Sequence, residues 1–311
     1  MFQYSNTNKR YHTFDYYLKQ KYGCKVFKVS LNAGFSCPNR DGKKGNTGCF
    51  FCSSFGGGEN GGNVQEDLNT QFENIKKIMQ LKWPNGKCIA YFQAFSNTYA
   101  SIEKLKEIYD PFFNRDDIVA ISIATRADCL EDNIIEYLKE KSAQKDLWIE
   151  IGLQTFNDKT AKLFNRGYDN ALFVDRLNKL REANINVTVH IINGLKDETQ
   201  EDMINTCKEL NKLDIQGIKI HSLNIVKNSV WGNEYINSPF KTITREEYID
   251  TVIKQLEVLK EEIIIQRLTS DPIMEELIAP DWNNNKTQLL NDIDKEMVKR
   301  NTYQGIKKEF N

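Results

Sequence analysis

Short apolar runs alternate with amphipathic segments along most of this chain, and that alternation restricts the fold more than any other feature. Runs at residues 26–31, 88–95, 117–125, 147–155, 186–193 and 215–223 read as strands. Between them, apolar residues recur at the three- and four-residue spacing of a helix face. Leu68, Phe72, Ile75 and Met79 form one such face; Ile102, Leu105, Ile108 and Phe112 form the next. Ile134, Ile135 and Leu138, then Val174, Leu177 and Leu180, then Met203, Cys207 and Leu210 continue the series. Thr199 and Asp202 are placed to cap the helix that carries Met203. Six βα units in series predict an α/β fold with a parallel sheet and right-handed crossovers. The strands are short, which predicts an incompletely closed (βα)6 barrel with its functional loops beyond the strand C-termini.

The chain changes character near residue 226. A turn-rich stretch runs through Pro239, Thr244 and Glu247 are spaced to open a helix, a short strand is expected at 263–265, and an amphipathic helix follows. The expected organisation is a core barrel over residues 1–225, with its N-terminal segment, and an α/β extension over 226–311 packed on it. No apolar run approaches the roughly 18 residues needed to cross a bilayer. The first twenty residues lack the apolar stretch of a secretory signal, so a cytoplasmic protein without a membrane partner is expected. With a net charge of −1, the whole-molecule field does not announce nucleic acid.

Three of the seven cysteines, Cys37, Cys49 and Cys52, fall within sixteen positions in the loop after the first strand. An odd number with this crowding suggests metal binding or catalysis over a disulfide framework. The C-x11-C-x2-C spacing admits three readings. The thiolates can bind three irons of a 4Fe–4S cluster and leave the fourth iron open. They can hold a structural zinc, completed by Cys24 or His12. They can also be unrelated residues of a loop. Glycines at 42, 45 and 48 let the loop fold tightly, and its position at the mouth of a βα series favours the cluster. The remaining cysteines, at 24, 88, 129 and 207, read as small core residues.

The run from Lys28 to Gly42 (KVSLNAGFSCPNRDG), with Gly48-Cys49-Phe-Phe-Cys52, resembles the YhcC/YtqA-type radical S-adenosylmethionine (SAM) proteins. These are relatives of the radical SAM domain in the Elongator catalytic subunit. The resemblance continues through residues 91–100, 122–130, 150–155, 219–223, 267–271, 282–286 and 303–305. It implies a 4Fe–4S cluster on Cys37, Cys49 and Cys52, and SAM on the open iron. One-electron cleavage of SAM then yields a 5′-deoxyadenosyl radical. It also implies a low-potential electron donor such as flavodoxin or ferredoxin. SAM contacts are implied at Asn97, Thr98, Arg126, Glu150, Gln154 and Asn193, all near strand ends.

Two stretches depart from the family pattern. Tyr168 stands where relatives usually have His, and Lys196-Asp197 stands where Pro-Gly is usual. Tyr168 is therefore an open question, and so is His221, which ends the sixth strand and can face the barrel mouth or the helices; His190, mid-strand in an apolar run, reads as structural.

The Elongator relationship implies a transfer RNA wobble uridine side chain as substrate, so transfer RNA is the expected partner. Residues 9–12 with Phe14, Tyr16 and Tyr17, and Lys307-Lys308, offer basic and aromatic side chains for RNA contact. A radical SAM enzyme acting on a small metabolite or peptide, and a zinc-stabilised binding protein without catalysis, are the alternatives. Anaerobic purification separates the last: the cluster reading expects a brown protein with about four irons per chain. A colourless protein holding a single zinc would end the enzyme reading.

Overall fold

A computed structural model describes residues 2–58 and 61–308. Of the long cysteine-bearing loop, Glu59 and Asn60 lie outside the described residues. In chain order the first elements are α1 (Phe14–Tyr22), β1 (Val26–Leu31), α2 (Leu68–Lys82), β2 (Lys87–Phe92), α3 (Ile102–Phe113) and β3 (Ile118–Thr125). They are followed by α4 (Asp132–Ser142), β4 (Asp146–Gln154), α5 (Asp158–Leu163), α6 (Asn170–Glu182), β5 (Asn186–Asn193) and α7 (Gln200–Leu210). The rest comprises β6 (Gly217–Ser222), β7 (Ile225–Val226), α8 (Val230–Asn237), α9 (Arg245–Val258), β8 (Ile264–Arg267), β9 (Leu277–Ala279) and α10 (Lys286–Lys299).

The partial barrel expected from the βα series forms, with one more strand than the series contains. The sheet order is β1-β2-β3-β4-β5-β6-β8, and every pairing is parallel. The short strand expected near Ile263 is β8, and it extends the sheet beyond β6 through Gly217↔Ile264 and Ile218↔Ile265. Three sequence assignments need correction. The second strand stops at Phe92, because the chain turns at Phe95, whose φ is 59°. Two helices, α5 and α6, replace the single one expected between β4 and β5, and each has its own side-chain cap, Asn157 and Asp169. The turn-rich stretch before Pro239 contains α8, opened by Ser229 and anchored by buried Trp231. The capping pairs Thr199/Asp202 and Thr244/Glu247 both close as reciprocal boxes.

An open sheet has two edges and an interior to fill. At its N-terminal end, the segment before α1 spans the gap: the Ile265 amide donates to the His12 carbonyl, and Thr13 bridges to Ile265 in parallel. Leu18 of α1 joins Val26, Ile89, Ala120, Trp148 and Ile264 as an apolar plug inside the strands. Phe14 and Tyr17 each meet the Trp148 ring edge-on at 5.7 Å.

The N-terminal residues expected to contact RNA are thus largely engaged in packing. Tyr11 and His12 are buried, His12 stacks on Tyr4, and Lys9 is paired with Asp294. Lys307 and Lys308 are likewise paired, with Glu257 and Glu261. Among the described residues no helix is long and apolar enough to cross a membrane.

Trp148 is the largest side chain of the plug and is 2% exposed. Trp148→Ala is expected to destabilise the fold by about 3–5 kcal/mol, read as a lower denaturant midpoint.

Candidate active site

The cysteine loop is shaped by its own backbone. The Arg40 amide donates to the Cys37 carbonyl (2.8 Å), the Gly48 amide to the Asn39 carbonyl (2.7 Å) and the Cys52 amide to the Cys49 carbonyl (2.9 Å). The last bond is the tight turn that C-x2-C spacing requires. Arg40 ties the two parts of the loop together, donating to the carbonyls of Cys52 (2.8 Å) and Ser53 (2.6 Å). Gly48 lets Arg40 pass: its φ is 73°, and a Cβ there would stand 2.7 Å from Arg40 Nε.

The loop is also bolted to its surroundings. The Phe50 amide donates to the Phe164 carbonyl beyond α5 (2.9 Å), and the Trp231 amide of α8 donates to the Phe50 carbonyl (2.8 Å). The Phe51, Phe164 and Trp231 rings pack beneath it.

Cys37, Cys49 and Cys52 all line one cavity of about 840 Å³ at the mouth of the sheet. All seven cysteines are outside disulfides. Among the described residues no three His, Cys, Asp or Glu side chains converge as a ligand set for one metal ion. The three thiols open onto one shared cavity, as separate corner ligands of a cluster must. Neither Cys24 nor His12, the residues proposed to complete a zinc site, lines this cavity. Cys88, Cys129 and Cys207 are buried. The donor set therefore fits an iron–sulfur cluster: three thiols on a glycine-shaped loop, with Arg126 Nη1 and Asn39 Nδ2 directed at Cys49 Sγ (3.8 and 3.9 Å). Burial pushes the Cys49 thiol up, and the Arg126 guanidinium opposes that shift.

The six residues marked for SAM separate into two groups. Arg126, Glu150 and Gln154 line the cavity, whereas Asn97, Thr98 and Asn193 do not. Asn97 is fully buried and donates to the carbonyls of Ala94 and Ala124, both at 2.9 Å. Thr98 bonds Thr125 Oγ1 and the Cys129 carbonyl, both at 2.6 Å. Asn193 exchanges two amide bonds with Gln255 of α9. These three brace strand ends, and their side-chain bonds face the protein interior, a distinction that a strand-end position alone does not make.

Gln154 turns at a φ of 65°, and its side chain lies over Gly152, where a Cβ would approach Gln154 Nε2 to 2.4 Å. Tyr168 lines the cavity with its hydroxyl donated to the Gly152 carbonyl, its ring 5.1 Å from the Arg126 guanidinium and 4.8 Å from that of Arg166.

Above the apolar plug sits a polar layer centred on Glu150. Its carboxylate, wholly buried, accepts from Lys28 Nζ (2.8 Å), Lys219 Nζ, Ser122 Oγ (2.6 Å) and His190 Nε2 (2.8 Å). Both ammoniums also lie over the Tyr91 ring, at 4.3 and 4.4 Å. Burial works to raise the Glu150 pKa, but the two lysines outweigh it and hold the group well below the usual carboxylate range. His190 therefore has a specific polar partner, and His221 lies beside it with ring centroids 5.2 Å apart.

Sequence reasoning missed Lys28, Tyr91, Ser122 and Lys219. Their signal was a polar side chain at alternate positions of otherwise apolar strands. The opposite wall comes from the C-terminal segment, where Arg267, Asp271 and Lys286 form a chain of ion pairs (3.2 and 2.6 Å).

Glu150→Ala leaves two ammoniums facing each other, and a loss of about 3–5 kcal/mol in unfolding free energy is expected. His190, faced by Glu150, Lys219, His221 and Arg267, is kept neutral: burial first, then the Lys219 charge, pushes its pKa down to about 4. The unfolded chain takes up that proton below about 6.5 and the folded one does not, so stability falls as pH drops through this window. Denaturant midpoints across that range should show the slope, and His190→Gln should lessen it.

Comparison with known proteins agrees with this geometry. The chain matches the radical SAM superfamily over residues 41–210 and the radical SAM C-terminal domain over residues 215–299. It is 47% identical to the uncharacterised protein YtqA of Bacillus subtilis (strain 168), across 98% of this chain and 94% of that one. It is 32% identical to protein YhcC of Escherichia coli (strain K12), across 89% of each. Among solved structures, the archaeal Methanocaldococcus infernus Elp3 superposes with a TM-score of 0.69 at 15% identity. That match covers 90% of this chain and 64% of that chain, an Elp3 with an N-terminal deletion, so this chain spans less than two thirds of its length. The chain belongs to the radical SAM superfamily, and is accordingly an enzyme that works with a 4Fe–4S cluster, S-adenosylmethionine and a reductant.

Proposed function

We propose that this enzyme modifies the side chain of a wobble uridine in transfer RNA, with Cys37, Cys49 and Cys52 as the cluster ligands. The observation that carries this reading is the charge of the cavity. Among the described residues, Lys28, Arg40, Arg126, Lys219, Arg267 and Lys286 line it against three carboxylates, Glu150, Asp271 and Glu276. Such a surplus in a partly enclosed site suits a polyanionic substrate, although the chain as a whole is nearly neutral. The resemblance to the Elongator catalytic subunit points the same way.

When bound, the cluster and SAM supply a 5′-deoxyadenosyl radical for hydrogen abstraction from a C–H bond. The protein's own part is to bind, orient and enclose. Gln154 lines the cavity and would hold SAM there. The polar layer around Glu150 forms the floor, and its two lysines meet the flipped base or its substituent. Residues 1–225 carry the cofactor chemistry, and residues 226–311 supply the substrate-facing wall through Arg267, Asp271 and Lys286. The electron comes from a flavodoxin or ferredoxin in the cytoplasm, where thiols stay reduced.

Nucleoside mass spectrometry of transfer RNA from a strain lacking the gene tests the substrate. The expected result is loss or arrest of a wobble-uridine modification, restored by the wild-type gene and not by the Cys37→Ala/Cys49→Ala/Cys52→Ala protein. An unchanged wobble-uridine profile would overturn the RNA assignment and favour a small-molecule or peptide substrate.

A further inference from the structure

Arg126 follows β3 at the cavity, where the family resemblance implies a SAM contact. Its hydrogen bonds point elsewhere. Nε and Nη2 form a fork on Asp128 (2.8 and 2.9 Å), and Nη2 also donates to the Arg166 carbonyl (2.6 Å). Nη1 is the remaining arm, and it donates toward Cys49 Sγ at 3.8 Å.

The guanidinium is held in that pose from several directions. Asp128 is 2% exposed and also pairs with Lys44 (2.7 Å), so the trio keeps a net positive charge beside the sulfur. Arg166, whose carbonyl receives Nη2, is itself fixed by bonds to the carbonyls of Leu153, Thr155 and Tyr168. At Gly167, whose φ is 83°, a Cβ would press on both Arg126 Nη2 and Asn39 Oδ1 at 3.3 Å.

Asn39 supplies a second, independent donor. It is 1% exposed, its Nδ2 is anchored on the Asn165 carbonyl (2.6 Å), and the same nitrogen reaches Cys49 Sγ at 3.9 Å. One thiol thus has a fixed cation and a fixed amide aimed at it, both locked by the Asn165-Arg166-Gly167 turn.

We propose that Arg126, seconded by Asn39, is a positioning residue that raises the reduction potential of the iron–sulfur cluster through Cys49, and is not a ligand of SAM. The inference rests on Cys49 being a cluster ligand. Reduction adds negative charge to the cluster and its thiolates, and a nearby cation with N–H donors stabilises the reduced state more than the oxidised one. The guanidinium is partly desolvated, which lessens dielectric screening of that effect.

The test is an EPR-monitored redox titration of the anaerobically reconstituted full chain, with iron content and SAM dissociation constant measured alongside. Arg126→Gln is expected to keep its iron and lower the midpoint. At the potential that half-reduces the wild type, the reduced-to-oxidised ratio should fall about tenfold, equivalent to ~59 mV for one electron. Asn39→Ala should shift the midpoint in the same direction by less, and Arg126→Lys should retain part of the wild-type value. An unmoved midpoint in iron-replete Arg126→Gln overturns the proposal, and weakened SAM binding with that unmoved midpoint makes Arg126 a SAM contact instead. If Arg126→Gln loses iron, the sign of the Asn39→Ala shift decides. Cys49→Ala retaining the full iron content overturns the ligand assignment itself, separately from the role of Arg126.

Discussion

A parallel sheet that curls without closing has to fill its interior with something other than a second sheet, and here the filling is stratified by charge. Glu150 stands at the boundary. Below it, Trp148 and its neighbours form an apolar plug sealed by α1. Around it, two lysines, a serine and a histidine from four other strands converge on one buried carboxylate. A buried charge is tolerable only when it is paired and hydrogen-bonded on all sides. That requirement couples β1, β3, β4, β5 and β6 in register, and the cavity above inherits its floor and its positive surplus from this arrangement.

The cofactor end depends on a different constraint. A loop of more than thirty residues between β1 and α2 has little regular structure of its own, yet it must present three thiols to one space. Backbone bonds from Phe50 to Phe164 and from Trp231 to Phe50 fasten it to two separate parts of the chain. The cysteine loop is therefore held by α8 from the C-terminal third as well as by the barrel.

Much of this was legible in advance. Strand β5 and the capping boxes of α7 and α9 were read correctly because apolar periodicity and cap chemistry are local signals. The cysteine loop was found because its spacing is local too. Lys28 and Lys219 were passed over because a single lysine in a strand has no visible partner until the sheet curls. The side-chain bonds of Asn97, Thr98 and Asn193 were not legible either, because whether a side chain beyond a strand faces the cavity or a neighbouring carbonyl depends on rotation that adjacent strands impose. Helix α8 was hidden by a sequence of Asn, Ser and Gly whose helicity depends on burying Trp231.

The sequence by itself determined the alternation of strands and helices, the parallel sheet and the three thiols after the first strand. It did so because side-chain periodicity, capping and the covalent spacing of cysteines act over a few residues. Only the tertiary structure decided that β8 would lengthen the sheet, that Glu150 would pair with two lysines, and that Arg126 would turn toward Cys49. Those outcomes depend on groups brought together across tens to hundreds of positions, where electrostatic and hydrogen-bond partners exist only once the chain has closed around them.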